Sequence, residues 1–125
     1  MDELPTPTAR ELEILKVLWE QGPLSVRDVH RKLSPDGELA YNTTQTMLRL
    51  MEMKDLVKHH ADGRTFIYTP CFSREENTSR FLDRAFDGAA SQMVLSLLRT
   101  ERVSAAELDR MQAMITEARK KRGKG

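Results

Sequence analysis

Apolar residues recur at helical spacing through the first fifty positions of this chain, and polar side chains with capping chemistry stand ahead of each run. Leu12, Leu15 and Trp19, with Ile14 and Leu18 beside them, form a stripe that ends at Gln21-Gly22-Pro23. Val26, Val29 and Leu33 form a shorter stripe, closed by the turn cluster Ser34-Pro35-Asp36-Gly37. A third run turns Met47, Leu48 and Met51 toward a core, while Asn42, Gln45, Thr46 and Arg49 fall on the opposite side at i, i+3, i+4 and i+7. Five capping-box-like sequences mark helix starts: Thr8 with Glu11, Ser25 with Asp28, Asn42 with Gln45, Ser73 with Glu76 and Ser104 with Glu107. Each sets an oxygen at the cap and a carboxylate or amide three residues on, where both satisfy orphan backbone N–H groups.

The third helix runs into a hairpin. Val57 to Tyr68 reads as two strands around an Asp62-Gly63 turn, with Arg64 just beyond it. A polar-fronted helix followed by a tight hairpin is the pattern of a winged helix-turn-helix. Its helix, about residues 42–55, is expected in a DNA major groove, and the wing, 57–69, on the backbone or minor groove. Asn42, Thr43, Thr44, Gln45, Thr46 and Arg49 are donors and acceptors suited to base edges and phosphates. His60 and Arg64 on the wing complete the expected DNA-facing set.

Beyond Thr69-Pro70 a separate helical region begins at Ser73. Phe81, Leu82, Phe86, Met93, Val94, Leu97, Leu98, Leu108, Met111 and Ile115 supply more apolar surface than about fifty residues of simple helices bury alone. A second copy of the chain is the expected cover. The predicted organisation is therefore mainly α with a small β-hairpin wing: a winged-helix domain over residues 1–72 and a helical dimerisation region over 73–125. The sequence runs out in Arg119-Lys120-Lys121-Arg122-Gly123-Lys124-Gly125, whose cations suit a helix C-terminus and whose end is expected to fray.

Composition narrows the function classes. The 125 residues are 39% hydrophobic and 31% charged, which suits a soluble folded protein. No apolar run approaches the roughly 20 residues of a membrane span, so no membrane insertion is expected. Met1-Asp2-Glu3-Leu4-Pro5 lacks the cationic start and apolar core of a signal peptide, and the expected location is the cytoplasm. One cysteine, Cys71, excludes an intrachain disulfide framework, and beside Phe72 it reads as a small buried apolar group. Net charge is +1, but residues 1–72 hold 9 Lys and Arg against 11 Asp and Glu, whereas the remainder holds 11 against 8. Bulk charge thus gives the DNA reading no support, and local placement has to carry it.

Several residues have plainer readings. His59 and His60 are adjacent in a strand and face opposite ways, so one packed or hydrogen-bonded and one exposed is expected in place of a metal pair. His30 reads as a surface or interface residue, and the seven Met sit at core spacing. There is no Gly-rich phosphate loop, metal triad or nucleophile with its base, so neither an enzyme nor a cofactor is expected. The competing function is a winged helix that binds protein instead of DNA, favoured by the slightly acidic N-terminal part.

Tyr41-Asn42-Thr43-Thr44-Gln45-Thr46-Met47-Leu48, Lys54, Leu56-Val57 and the wing His60 to Pro70 together resemble the penicillinase-repressor family, the BlaI/MecI type. Leu12 to Trp19 and Ser91 to Leu98 extend the likeness over nearly the whole chain. The resemblance implies a homodimeric repressor on a palindromic double-stranded DNA operator, its C-terminal helices interlocked with the partner's. For members that control β-lactam resistance it also implies a membrane-bound sensor metalloprotease pathway ending in cleavage of the C-terminal region. Ser96-Leu97 stands where those members carry the Asn-Phe cleavage pair, and the tail lacks the cysteine cluster of copper-responsive relatives. Leu50 replaces a second basic residue common in the family, and Asp55 a common glycine.

Overall fold

The computed structural model describes residues 6–124; Met1 to Pro5, on which the signal-peptide reading rests, lie outside them. Among the described residues six helices and three strands follow in order: α1 Ala9–Gln21, β1 Leu24–Ser25, α2 Val26–Leu33, α3 Tyr41–Met53, β2 Val57–Asp62, β3 Thr65–Pro70, α4 Arg74–Phe86, α5 Ala90–Arg99 and α6 Ala105–Lys124. The strands form one antiparallel sheet in the order β1-β3-β2. Contacts divide the chain into two compact units, Met1–Thr78 and Ser79–Gly125.

The first unit is a winged helix-turn-helix. Ile14, Leu15 and Leu18 of α1, Val29 of α2, and Leu48 and Met51 of α3 meet Leu56, Val57, Tyr68 and Phe72 in a single core. Trp19, half-buried, donates its indole N–H to the Phe72 carbonyl at 2.8 Å and meets the Phe72 ring edge-on. The apolar periodicity of α1 and α3 therefore does what amphipathic helices do, burying one stripe each against the sheet.

Capping chemistry held unevenly. Thr8 and Glu11 form a reciprocal box, as do Ser73 and Glu76. Ser25 and Ser104 accept from the backbone N–H three residues on. The Asn42 box does not form: α3 starts at Tyr41, with Ala40 as an extended N-cap and no side-chain bond to the helix end. Asn42 lies inside the first turn, so its amide is not spent on capping.

Glu11 has a second task. Its carboxylate, buried to 7% exposure, receives Lys54 Nζ at 2.7 Å and so joins α1 to the end of α3. Burial pushes the Glu11 carboxyl up, but the Lys54 and Thr8 hydrogen bonds and the Lys54 charge outweigh it, and its pKa lies below the ordinary value.

Other expectations are corrected. Cys71 is exposed, and Phe72 takes the buried position instead. Met51 is in the core, but Met53 and Met114 are 77% and 63% exposed. The short strand β1 pairs Leu24 with Tyr68 and Ser25 with Ile67, giving the sheet a third strand that the sequence pattern did not announce.

In the second unit no described side chain from Ser79 onward is fully buried. Phe81, Val94, Leu97, Leu98, Leu108 and Ile115 are exposed, while Leu82, Phe86, Met93 and Met111 are half-buried. Phe81 and Phe86 meet edge-on with centroids 6.2 Å apart. Among the described residues no helix is long and apolar enough to cross a membrane.

Candidate nucleic-acid interface

Helix α3 sorts its residues by face. Thr44, Leu48 and Met51 are enclosed at i, i+4 and i+7, whereas Asn42, Thr43, Thr46, Arg49, Leu50 and Met53 are exposed along one arc. Gln45 is half-buried at the edge of that arc. Thr44 leaves the expected set of DNA-facing residues. It is 0% exposed, and its hydroxyl shares a 2.7 Å hydrogen bond with His30 Nδ1 of α2. A hydroxyl enclosed in this way cannot reach a base edge; it ties α3 to α2. The His30 ring also meets Tyr41 edge-on, with centroids 5.5 Å apart.

The end of α3 explains how Asp55 substitutes for glycine. Leu56 N–H donates to the Met51 carbonyl at 2.9 Å and Asp55 N–H to the Glu52 carbonyl at 3.1 Å, the paired bonds of a Schellman ending. That ending requires a left-handed residue, and Asp55 adopts φ 63°. Leu56 and Met51, both fully buried, supply the accompanying apolar contact. The chain thereby turns straight into β2.

The wing is fastened to α3. His59 Nδ1 of β2 lies 2.7 and 2.8 Å from the two carboxylate oxygens of Glu52. Its ring stacks on Phe66 at 4.2 Å and tilts against Tyr68 at 5.5 Å. Because side chains alternate along a strand, exposed His60 points to the other face, away from α3.

The hairpin turn is shifted by one residue from the sequence reading. Asp62 pairs with Thr65, so Gly63 and Arg64 are the two turn residues, and Arg64 sits in the tip itself. Gly63 has φ 66°, while Arg64 is not among the positive-φ residues, the pattern of a turn with glycine at its first central position. An Asp62-Gly63 turn of the alternative type would force Asp62 into the left-handed region as well.

A groove of about 600 Å³ opens between the start of α2, the start of α3 and the wing tip. It brings Gln45 and Arg64 to the same opening, together with Arg27 and Tyr41, which sequence reasoning passed over. Arg27 is the second residue of α2, after the Ser25 cap, where nothing in the local pattern marks a cation as functional. Among the described residues no cluster of three or more His, Cys, Asp or Glu is placed to hold a metal ion.

Comparison with known proteins agrees with this geometry. Residues 7–117 match the penicillinase repressor family. The penicillinase repressor of Bacillus licheniformis is 31% identical over 121 residues, which cover 94% of each chain. The transcriptional regulator BlaI of Mycobacterium tuberculosis is 33% identical over 112 residues, 86% of this chain and 80% of that one. The solution structure of the DNA-binding domain of the repressor BlaI is similar with a TM-score of 0.53 and 33% identity, over 61% of this chain and 93% of that one. The monomeric form of Bacillus licheniformis BlaI in complex with the blaP half-operator gives a TM-score of 0.52 at the same identity and coverage. Matching over most of its length both the family pattern and its repressors, this chain belongs to the penicillinase-repressor family.

Proposed function

We propose that this chain is a DNA-binding transcriptional repressor that reads a palindromic operator as a homodimer. The observation that carries the reading is the exposed arc of Asn42, Thr43, Thr46 and Arg49 on a helix whose other face is locked into the core, with Arg64 at the tip of the adjoining wing. The similarity to the monomeric form of BlaI solved in complex with a half-operator supports the same arrangement. In this reading α3 enters the major groove, its short polar side chains meet base edges, and the wing contacts the backbone or minor groove. Gln45 adds a contact from the edge of the arc, whereas His60, on the far side of the wing, joins only if a phosphate passes there.

Dimer formation follows from the second unit. Helices that expose Phe81, Leu97, Leu98, Leu108 and Ile115 need a covering surface, and a second copy supplies a self-complementary one. Two linked half-site contacts gain from effective concentration, so the dimer binds far more tightly than one winged helix. The protein acts in the cytoplasm as a regulator without catalysis of its own. Release through a membrane-bound sensor metalloprotease remains part of the family reading, but with Ser96-Leu97 at the matching position we propose that the usual cleavage does not inactivate this chain.

The slightly acidic N-terminal part favours one alternative, a protein-binding winged helix. Fluorescence anisotropy with labelled duplex separates the two. A repressor binds duplex at low salt and loses affinity steeply as salt rises, whereas a protein-only module leaves the duplex unshifted throughout.

A further inference from the structure

The exposed arc of α3 is polar over only its first half. After Asn42, Thr43, Thr46 and Arg49 it presents Leu50 and Met53, 48% and 77% exposed. At about 100° per residue Leu50 falls roughly 40° from Thr46 and about 20° from Thr43 around the helix. It therefore stands one turn beyond Thr46 on the same surface. The buried stripe of Thr44, Leu48 and Met51 is complete without it, so the fold does not require an apolar group there.

We propose that Leu50 is a specificity-determining residue that packs against the 5-methyl group of a thymine in the operator major groove. The inference rests on the DNA-binding reading above. Of the groups that base pairs display in the major groove, the thymine methyl is the main apolar one, projecting beyond the small C5–H that cytosine has at the same position; the rest are donors and acceptors. A leucine pressed against any of those strips water from a polar atom and returns no hydrogen bond, which disfavours adenine, guanine and unmodified cytosine at that place. Against a thymine methyl the same side chain removes apolar surface from water on both sides. Leu50 thus selects by attraction and by penalty, and it complements the hydrogen-bonding readout of Thr46 and Arg49.

Deoxyuridine, which is thymidine without its 5-methyl group, provides the probe. Duplexes enriched from a randomised pool by the full chain are resynthesised with deoxyuridine replacing each thymine in turn. One thymine per half-site should weaken binding about fourfold on losing its methyl. Leu50→Ala should bind the thymine duplex more weakly than the parent and be indifferent to that methyl, and Leu50→Gln should behave likewise. Both substitutions are at an exposed helical site and should leave the circular dichroism spectrum unchanged. If the parent binds but no thymine shows methyl dependence, or if the dependence persists in Leu50→Ala, the inference is overturned while the DNA-binding reading stands. Failure to enrich any duplex overturns both.

Discussion

Arg64→Ala gives the sharpest separation between positioning and reading. Arg64 is the second residue of the two-residue turn between Asp62 and Thr65, so its guanidinium extends from the wing tip, and its removal disturbs no core packing. If it neutralises one phosphate, its loss reduces the slope of log affinity against log salt by about 0.9, and a dimer with two wings loses about 1.8. Between about 50 and about 200 mM salt the parent should then lose about 12-fold more affinity than the variant does. The deficit of the variant is therefore largest at low salt and shrinks as salt rises. It should be the same for every duplex sequence, because a phosphate contact carries no sequence information. Fluorescence anisotropy titrations at four or more salt concentrations, on an enriched duplex and a scrambled one, measure both properties. Equal salt slopes for Arg64→Ala and the parent would mean that Arg64 meets no phosphate, and a deficit confined to one sequence would mean that it reads a base.

Thr46→Ala should behave in the opposite manner, losing about 1–3 kcal/mol on the preferred duplex and relaxing preference at one base position, as a panel of single-base variants would reveal. Lys54→Met removes the 2.7 Å bond to buried Glu11, with an expected stability loss of about 1.5 kcal/mol in urea unfolding near neutral pH, the partial exposure of Lys54 keeping it at the lower end. Since the native Glu11 carboxyl is held below its ordinary value, its contribution is complete above the unfolded-state value and disappears as pH falls through the native one. The two urea midpoints should accordingly converge in acid, and a constant gap would count against the pair. Asp55→Gly relieves the left-handed conformation at φ 63° and should raise the unfolding free energy by roughly 1 kcal/mol; an unchanged midpoint would mean that Asp55 carries no strain. Deleting the residues after Phe72 leaves the core of the first unit whole and should give a monomer by sedimentation, with much weaker operator binding.

What was legible in the sequence was whatever short-range pattern controls. The stripe of Ile14, Leu15 and Leu18, the boxes at Thr8 and Ser73, and the hairpin between Val57 and Tyr68 each depend on residues within a few positions of one another. Thr44 is not marked as buried by its sequence because its polarity resembles that of its neighbours, and the partner that draws it inward, His30, stands fourteen residues away on another helix. The false box at Asn42 has a related origin: Ser, Thr and Asn are good caps, but the backbone turned into the helix at Ala40, before any of them. The turn slipped by one residue because Asp-Gly is a strong local signal, while the pairing of Asp62 with Thr65 belongs to the whole ladder. Strand β1 is two residues long and exists only through its partners on β3, so no periodicity could announce it. The groove that gathers Arg27 with Gln45 and Arg64 was likewise invisible, since it joins three elements distant in the chain.

Hydroxyl-radical footprinting of the full chain on an enriched duplex shows whether two copies read an inverted repeat. A dimeric repressor leaves two protected patches related by a dyad, their centres about one helical turn apart, on an inverted-repeat sequence. A single asymmetric patch, or a chain that protects no duplex at low salt, would contradict a dimeric repressor.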